Sequence, residues 1–116
     1  MNFEVKYRDD IAIFKLNEKK MDSSISGLLK GEFAILVQAE NVRKLIIDLE
    51  HVDMCDSSGL SALLFCQRQV REKGGALRLI NVDEKIKNII KISFLENVLP
   101  ISPSQQIAIQ ELENLE

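Results

Sequence analysis

The chain has only two cysteines, Cys55 and Cys66. They lack Cys-x-x-Cys spacing and stand beside no histidine cluster, so neither a disulfide framework nor a metal site such as zinc is expected. Both read as reduced thiols, one near a turn and one on a helix. A face-wide Lys/Arg cluster is also missing, and the net charge of −3 with a pI near 5.2 argues against nucleic acid as a direct partner. The longest apolar stretches break within a few residues, and Met1 leads into a strand-like segment rather than a basic and then hydrophobic leader. Direct membrane insertion is therefore not expected, and the chain reads as cytoplasmic. A Gly-x-x-x-x-Gly-Lys-Ser/Thr loop is absent, so any ATP has to be held by a partner, and no cofactor is expected. Nor does the sequence contain an internal repeat, a linker or a low-complexity tract.

What is present suits one folded domain over residues 1–116, with 46% apolar and 28% charged residues. Phe3, Val5 and Tyr7 alternate with Glu4, Lys6 and Arg8, and Asp9-Asp10 breaks the run before Ile11, Ile13 and Leu16. This pattern predicts an opening β-hairpin. Asp22 or Ser23 is placed to cap a helix over about residues 23 to 39, with Ile25, Leu28, Leu29, Phe33 and Leu36 at helical spacing. Gly27 and Gly31 each cost that helix about 1 kcal/mol, which suggests close packing there against the protein's own sheet.

Leu45 to Leu49 reads as a central strand covered on both faces. A helix from about Ser57 to Lys73 follows, with Leu60, Leu63, Leu64 and Val70 on one stripe and Gly74-Gly75 at its end. Ala76 to Ile80 is the next strand, completing a right-handed β-α-β unit. A short helix is expected from about Asp83 to Lys91, marked by Ile86, Ile89 and Ile90, then a brief strand or extended connector at Val98-Leu99. In the last helix Ser102 caps, Pro103 takes the first helical position and Gln105 closes a capping box, ahead of Ile107, Ala108, Leu112 and Leu115. Its acids Glu111, Glu113 and Glu116 read as a solvated face. The fold class is α/β, a mixed β-sheet of opening hairpin plus parallel strands covered by about four helices.

Asp56-Ser57-Ser58-Gly59 opens a helix where a strand's carboxyl end gives way to a β-α loop. Unsatisfied amide donors and the helix dipole favour a carboxylate, a hydroxyl or a phosphate at such a point. The plain reading is a cap, with Asp56 or Ser57 contributing about 1 kcal/mol. Two adjacent serines and a glycine that removes bulk beside them suggest a site built for access. A phosphate on Ser57 would add about −1.5 to −2 charges, and its main effect would fall on whatever docks there.

The segment Val52 to Leu60, preceded by Leu45-Ile46-Ile47-Asp48-Leu49 and followed by Gly74-Gly75-Ala76-Leu77, resembles the STAS domain of bacterial anti-sigma factor antagonists. Met21-Asp22 is similar to the Leu-Asp that precedes the first helix in that family. The resemblance implies a partner-switching regulator, which in its unmodified state binds an anti-sigma factor that is itself a serine kinase. It further implies phosphorylation at Ser57 by that kinase and removal of the phosphate by a PPM-type phosphatase. Partner-binding positions are then Asp22, Asp56, Ser57, Ser58, Gly59, Ser61 and Phe65. Lys19-Lys20 stands where the family often has Gly-Glu, and Phe65 stands where a small residue is common. Phe65 and Ser61 fall off the core stripe, where they would enlarge a docking face.

Three other readings compete. A hydrolase would use Ser57 as nucleophile, His51 as base and Asp53 or Asp56 as orienter, but no Gly-x-Ser-x-Gly elbow is present and no catalytic residue is assigned. A phospho-accepting receiver is suggested by Asp9-Asp10 and Asp48, against which stand the two opening strands. A STAS subunit of a membrane transport ATPase, or of a signalling scaffold, would keep the fold and bind without phosphate turnover.

Overall fold

In the computed structural model, which describes residues 1–115, the opening alternation becomes the antiparallel pair β1 (Phe3–Arg8) and β2 (Ile11–Leu16). Asp9 makes the turn in the left-handed region at φ 56°. Strand β2 then pairs in parallel with β4 (Lys44–Asp48), and β4 with β6 (Ala76–Ile80), giving the order β1-β2-β4-β6. The run at Leu45 to Leu49 is central, as its β-branched composition predicts.

Alternate residues of the sheet feed two cores, because successive strand side chains point to opposite faces. Ala12, Phe14, Leu16, Leu45, Ile47, Leu77 and Leu79 share one core with Leu29 and Phe33 of α1 (Ser26–Ala34) and with Leu63, Cys66 and Val70 of α2 (Ser57–Glu72). Ile86 and Ile90 of α3 (Glu84–Ile92) join the same core. On the opposite face Ile11, Ile13, Ile46 and Ile80 pack against Ala108, Ile109 and Leu112 of α4 (Gln105–Glu113). Each fully buried Leu or Ile contributes about 1.5 to 3 kcal/mol.

Several sequence expectations are corrected. Helix α1 starts at Ser26 rather than Ser23, without a side-chain cap, and its last turn widens into a π-helical segment, Ile35–Ala39. Asp22 caps a preceding turn instead, accepting from the amide and hydroxyl of Ser24. Leu28 is exposed, and a Cβ added at Gly27 or Gly31 would touch nothing, so neither glycine packs on the sheet. Two further strands, β3 (Lys20–Met21) and β5 (Met54–Cys55), form a separate parallel pair. Val98-Leu99 forms no strand; the contact with the sheet edge comes at Ile101, bridged to Leu79.

The cap of α4 is Ser104, which accepts from the Ile107 amide; Pro103 precedes the helix and no capping box forms. Ser102 is buried and donates to Glu111, which also pairs with Arg78 at 3.3 Å, so Glu111 is not simply a solvated acid. Ile107 and Leu115 are exposed, while Ile109 takes the core position. Glu116 lies outside the described residues.

Two glycines are required by close backbone approach. A Cβ at Gly59 would overlap the Met21 carbonyl, and one at Gly75 the Arg43 carbonyl. Substituting alanine at Gly59 or Gly75 should therefore lower stability by about 1–3 kcal/mol, as overpacking does. Gly31→Ala, with open space around it, should raise stability by about 0.5–1 kcal/mol through helix propensity. Urea titrations of the three variants read both signs; a stabilised Gly59→Ala or a destabilised Gly31→Ala would contradict the packing described.

Candidate functional site

The pairing of β3 with β5 assembles the site. Met21 lies opposite Cys55, so the residues that follow, Asp22 and Asp56, leave adjacent parallel strands side by side. The Asp56 amide donates back to the Met21 carbonyl at 3.4 Å, and the missing side chain of Gly59 lets the first turn of α2 lie on the same carbonyl. Gly59 is thus buried, its place set by the close approach to Met21.

Asp56 is the N-cap of α2. Its carboxylate Oδ1 accepts from the amides of Ser58 at 2.9 Å and Gly59 at 3.0 Å, while its carbonyl accepts from Leu60. The donors that a helix start leaves open are therefore mostly occupied. Ser58 is half-buried, and Ser57 is exposed, with no hydrogen bond to its hydroxyl among the described residues. The cap function belongs to Asp56 alone.

From Ser57 a single face of α2 runs through Ser61, then Leu64 and Phe65, then Arg68, each step about one turn. Together with Leu60, and with Lys30 reaching in from α1, these residues line a groove of about 230 Å³. The structure thus brings Ser57, Ser61 and Phe65 together, with Asp56 and Asp22 beyond its serine end. Wider depressions exist elsewhere, among them one of about 470 Å³ between α3 and the Ile101 segment. That one is walled by Glu84, Lys87, Lys91 and Glu96, a mixed-sign lining without a hydroxyl.

Four groove residues escape the sequence reading. Leu60 and Leu64 were expected on the core stripe, but they are only half-buried and their free sides floor the groove. Extending the Ser57–Ser61–Phe65 line one more turn would have reached Arg68. Lys30 carries no local signal, since its place depends on how α1 packs on α2.

Two acids named for the competing chemistries, Asp56 and Asp10, are engaged elsewhere. Asp56 commits its carboxylate to backbone donors rather than to His51. Asp10 pairs with Lys44 at the start of β4, whereas Asp48 is at that strand's other end, roughly 13 Å of extended chain away, so no receiver-type acidic cluster forms. Asp48 is buried and accepts from the Glu50 amide and the Asn81 side chain at 3.0 Å each. Both cysteines are free and buried. Burial, with the nearby Asp56 charge, pushes the Cys55 thiol up to about 11; burial alone raises that of Cys66. Among the described residues no helix is long and apolar enough to cross a membrane.

Fold and groove together define a small α/β domain whose surface presents a serine at a helix start. Residues 2–108 match the STAS domain model, and the chain belongs to the STAS domain family. It is similar to the anti-sigma F factor antagonist of Paenibacillus polymyxa, 22% identical over 97% of this chain and 96% of that one. In fold it is similar to a Thermotoga maritima protein, with a TM-score of 0.87, 21% identity and coverage of 97% and 95% of the two chains. It is also similar to the Bacillus cell fate determinant SpoIIAA in its phosphorylated form, with a TM-score of 0.73, 17% identity and coverage of 95% and 98%.

Removing the cap by Asp56→Ala should lower stability by about 1 kcal/mol, and at most about 2, while Asp56→Asn keeps most of it. At pH 8 a maleimide should label neither thiol in the native chain and both in denaturant; rapid native labelling of Cys55 would contradict its burial. The folded chain holds the Cys55 proton more tightly than the unfolded chain, so this stabilisation is full below pH 9. It is lost as pH rises toward about 11, because the unfolded thiol ionises first.

Proposed function

We propose that the chain is an anti-sigma factor antagonist, a partner-switching regulator whose unmodified groove binds an anti-sigma serine kinase. The observation that carries this reading is the division of labour at the start of α2: Asp56 caps the helix, and Ser57 is left exposed at the end of the groove. A serine without a structural bond is available for modification. The relative named an anti-sigma F factor antagonist, and the SpoIIAA structure in phosphorylated form, support the same reading.

In the proposed reaction the Ser57 Oγ attacks the γ-phosphorus of an ATP held by the kinase. The Oγ–P bond forms as the bond to the ADP oxygen breaks, and the hydroxyl proton passes to a base of the kinase or to water. The phosphoserine adds about −1.5 to −2 charges at the mouth of the groove. A partner docked there would have to desolvate that charge, which is costly without a matching cation, so binding is released while the fold persists. A PPM-type phosphatase restores the hydroxyl by transferring the phosphoryl group to water.

Ser57→Ala should change stability by less than about 0.5 kcal/mol and bind the kinase constitutively. Ser57→Asp should weaken that binding at least tenfold with a similar melting temperature. Intact-mass analysis of the chain from its own host, with candidate kinases and phosphatases, should show one phosphate on Ser57 that one enzyme adds and another removes. A chain never modified under any condition, co-purifying with a transport ATPase or a signalling scaffold, would overturn the proposal in favour of binding without phosphate turnover.

A further inference from the structure

We infer that Lys30 is the residue whose ammonium pairs with the phosphate of a phosphorylated Ser57, closing an ion pair across the groove between α1 and α2. The inference rests on the phospho-switch reading and adds how the modified state is held. Among the described residues the helix start leaves the phosphate a single open donor nearby, the Ser57 amide. The Ser58 and Gly59 amides already bond to the Asp56 carboxylate, and that carboxylate repels a second anion beside it. A phosphate on Ser57 is therefore matched by water or by a cation in the groove.

Two cations line it, Lys30 and Arg68. Arg68 stands on the helix of Ser57 itself, about three turns further on, an axial separation of roughly 16 Å that one arginine side chain does not span. Lys30 comes from the neighbouring helix and shares the groove wall with Ser57, Leu60 and Ser61. It is half-buried and forms no ion pair among the described residues. Leu60, Leu64 and Phe65, which line the same groove, offer a phosphate no polar side chain in competition with the lysine. A lysine also suits the task, since its compact ammonium acts as a point charge toward a single phosphate oxygen.

The ion pair gives phosphorylation a second effect. In the unmodified chain Lys30 and Arg68 make the groove cationic, favouring a partner surface with carboxylates. Once Ser57 is phosphorylated, Lys30 is neutralised within the chain, so the partner loses an attraction and meets a new anion together.

The test uses the chain with phosphoserine installed at position 57 during translation, so that no kinase is needed and failure of the switch reading stays separate. Phosphorus NMR titration gives the second ionisation of the phosphoserine, normally near pH 6. With Lys30 in place it should lie about half a pH unit or more below its value in Lys30→Gln, because a nearby cation favours the dianion. Lys30→Arg should restore the lowered value, and Arg71→Gln, which removes a cation of α2 outside the groove, should leave it unchanged. Equal values in the wild-type and Lys30→Gln chains, with amide spectra showing both folded, would overturn the inference.

Discussion

The first turn of α2 rests on the Met21 carbonyl at a distance only glycine allows, and this contact at Gly59 determines where the candidate site sits. It seats the helix on the short parallel pair of β3 and β5, whose register places Asp22 beside Asp56 and holds Ser57 at the surface. A side chain at position 59 would push the helix away from Met21, and with it the cap, the serine and the near end of the groove. The glycine therefore serves access indirectly: it fixes the position of the serine rather than clearing space beside it.

On that foundation the helix cap and the exposed hydroxyl fall on different residues. Asp56 satisfies the helix start, so the fold does not need the Ser57 hydroxyl. The core beneath is apolar and its thiols are held protonated by burial, while Ser57 is exposed at this end of the domain. A charge added there changes the groove's field while touching none of the contacts that hold α2 to the sheet. The Ser102–Glu111–Arg78 cluster ties α4 to β6 on the opposite face of the sheet, away from the groove.

Much of the fold was legible because the signals are local. The hairpin, β4, α2 and β6 each carry enough residues to show their period, and Asp56-Ser57-Ser58-Gly59 announces a cap within four positions. The β3–β5 pair was not, since strands of two residues show no alternation; neither was the single bridge at Ile101. Ser102 and Ser104 both precede Gln105 closely, and only tertiary contact decides between them: Ser102 is drawn inward to Glu111, which leaves Ser104 to cap. Gly27 and Gly31 look alike on paper to Gly59, yet the first two face open space and the third faces a carbonyl. Ser57, Ser61 and Phe65 were found by helical spacing, whereas Lys30 belongs to another helix and is invisible to any single-element pattern.

The proposal that partner binding centres on the α1–α2 groove is open to a direct test. The most direct measurement is a titration of the isotope-labelled, unmodified chain with the anti-sigma kinase of its own host, following backbone amide shifts residue by residue. The account predicts perturbations concentrated at Lys30, Ser57, Ser61, Leu64, Phe65 and Arg68, with Ile109 and Glu113 of α4 unmoved. Shifts centred on α4, or on the depression beside α3, with the groove silent, would contradict it.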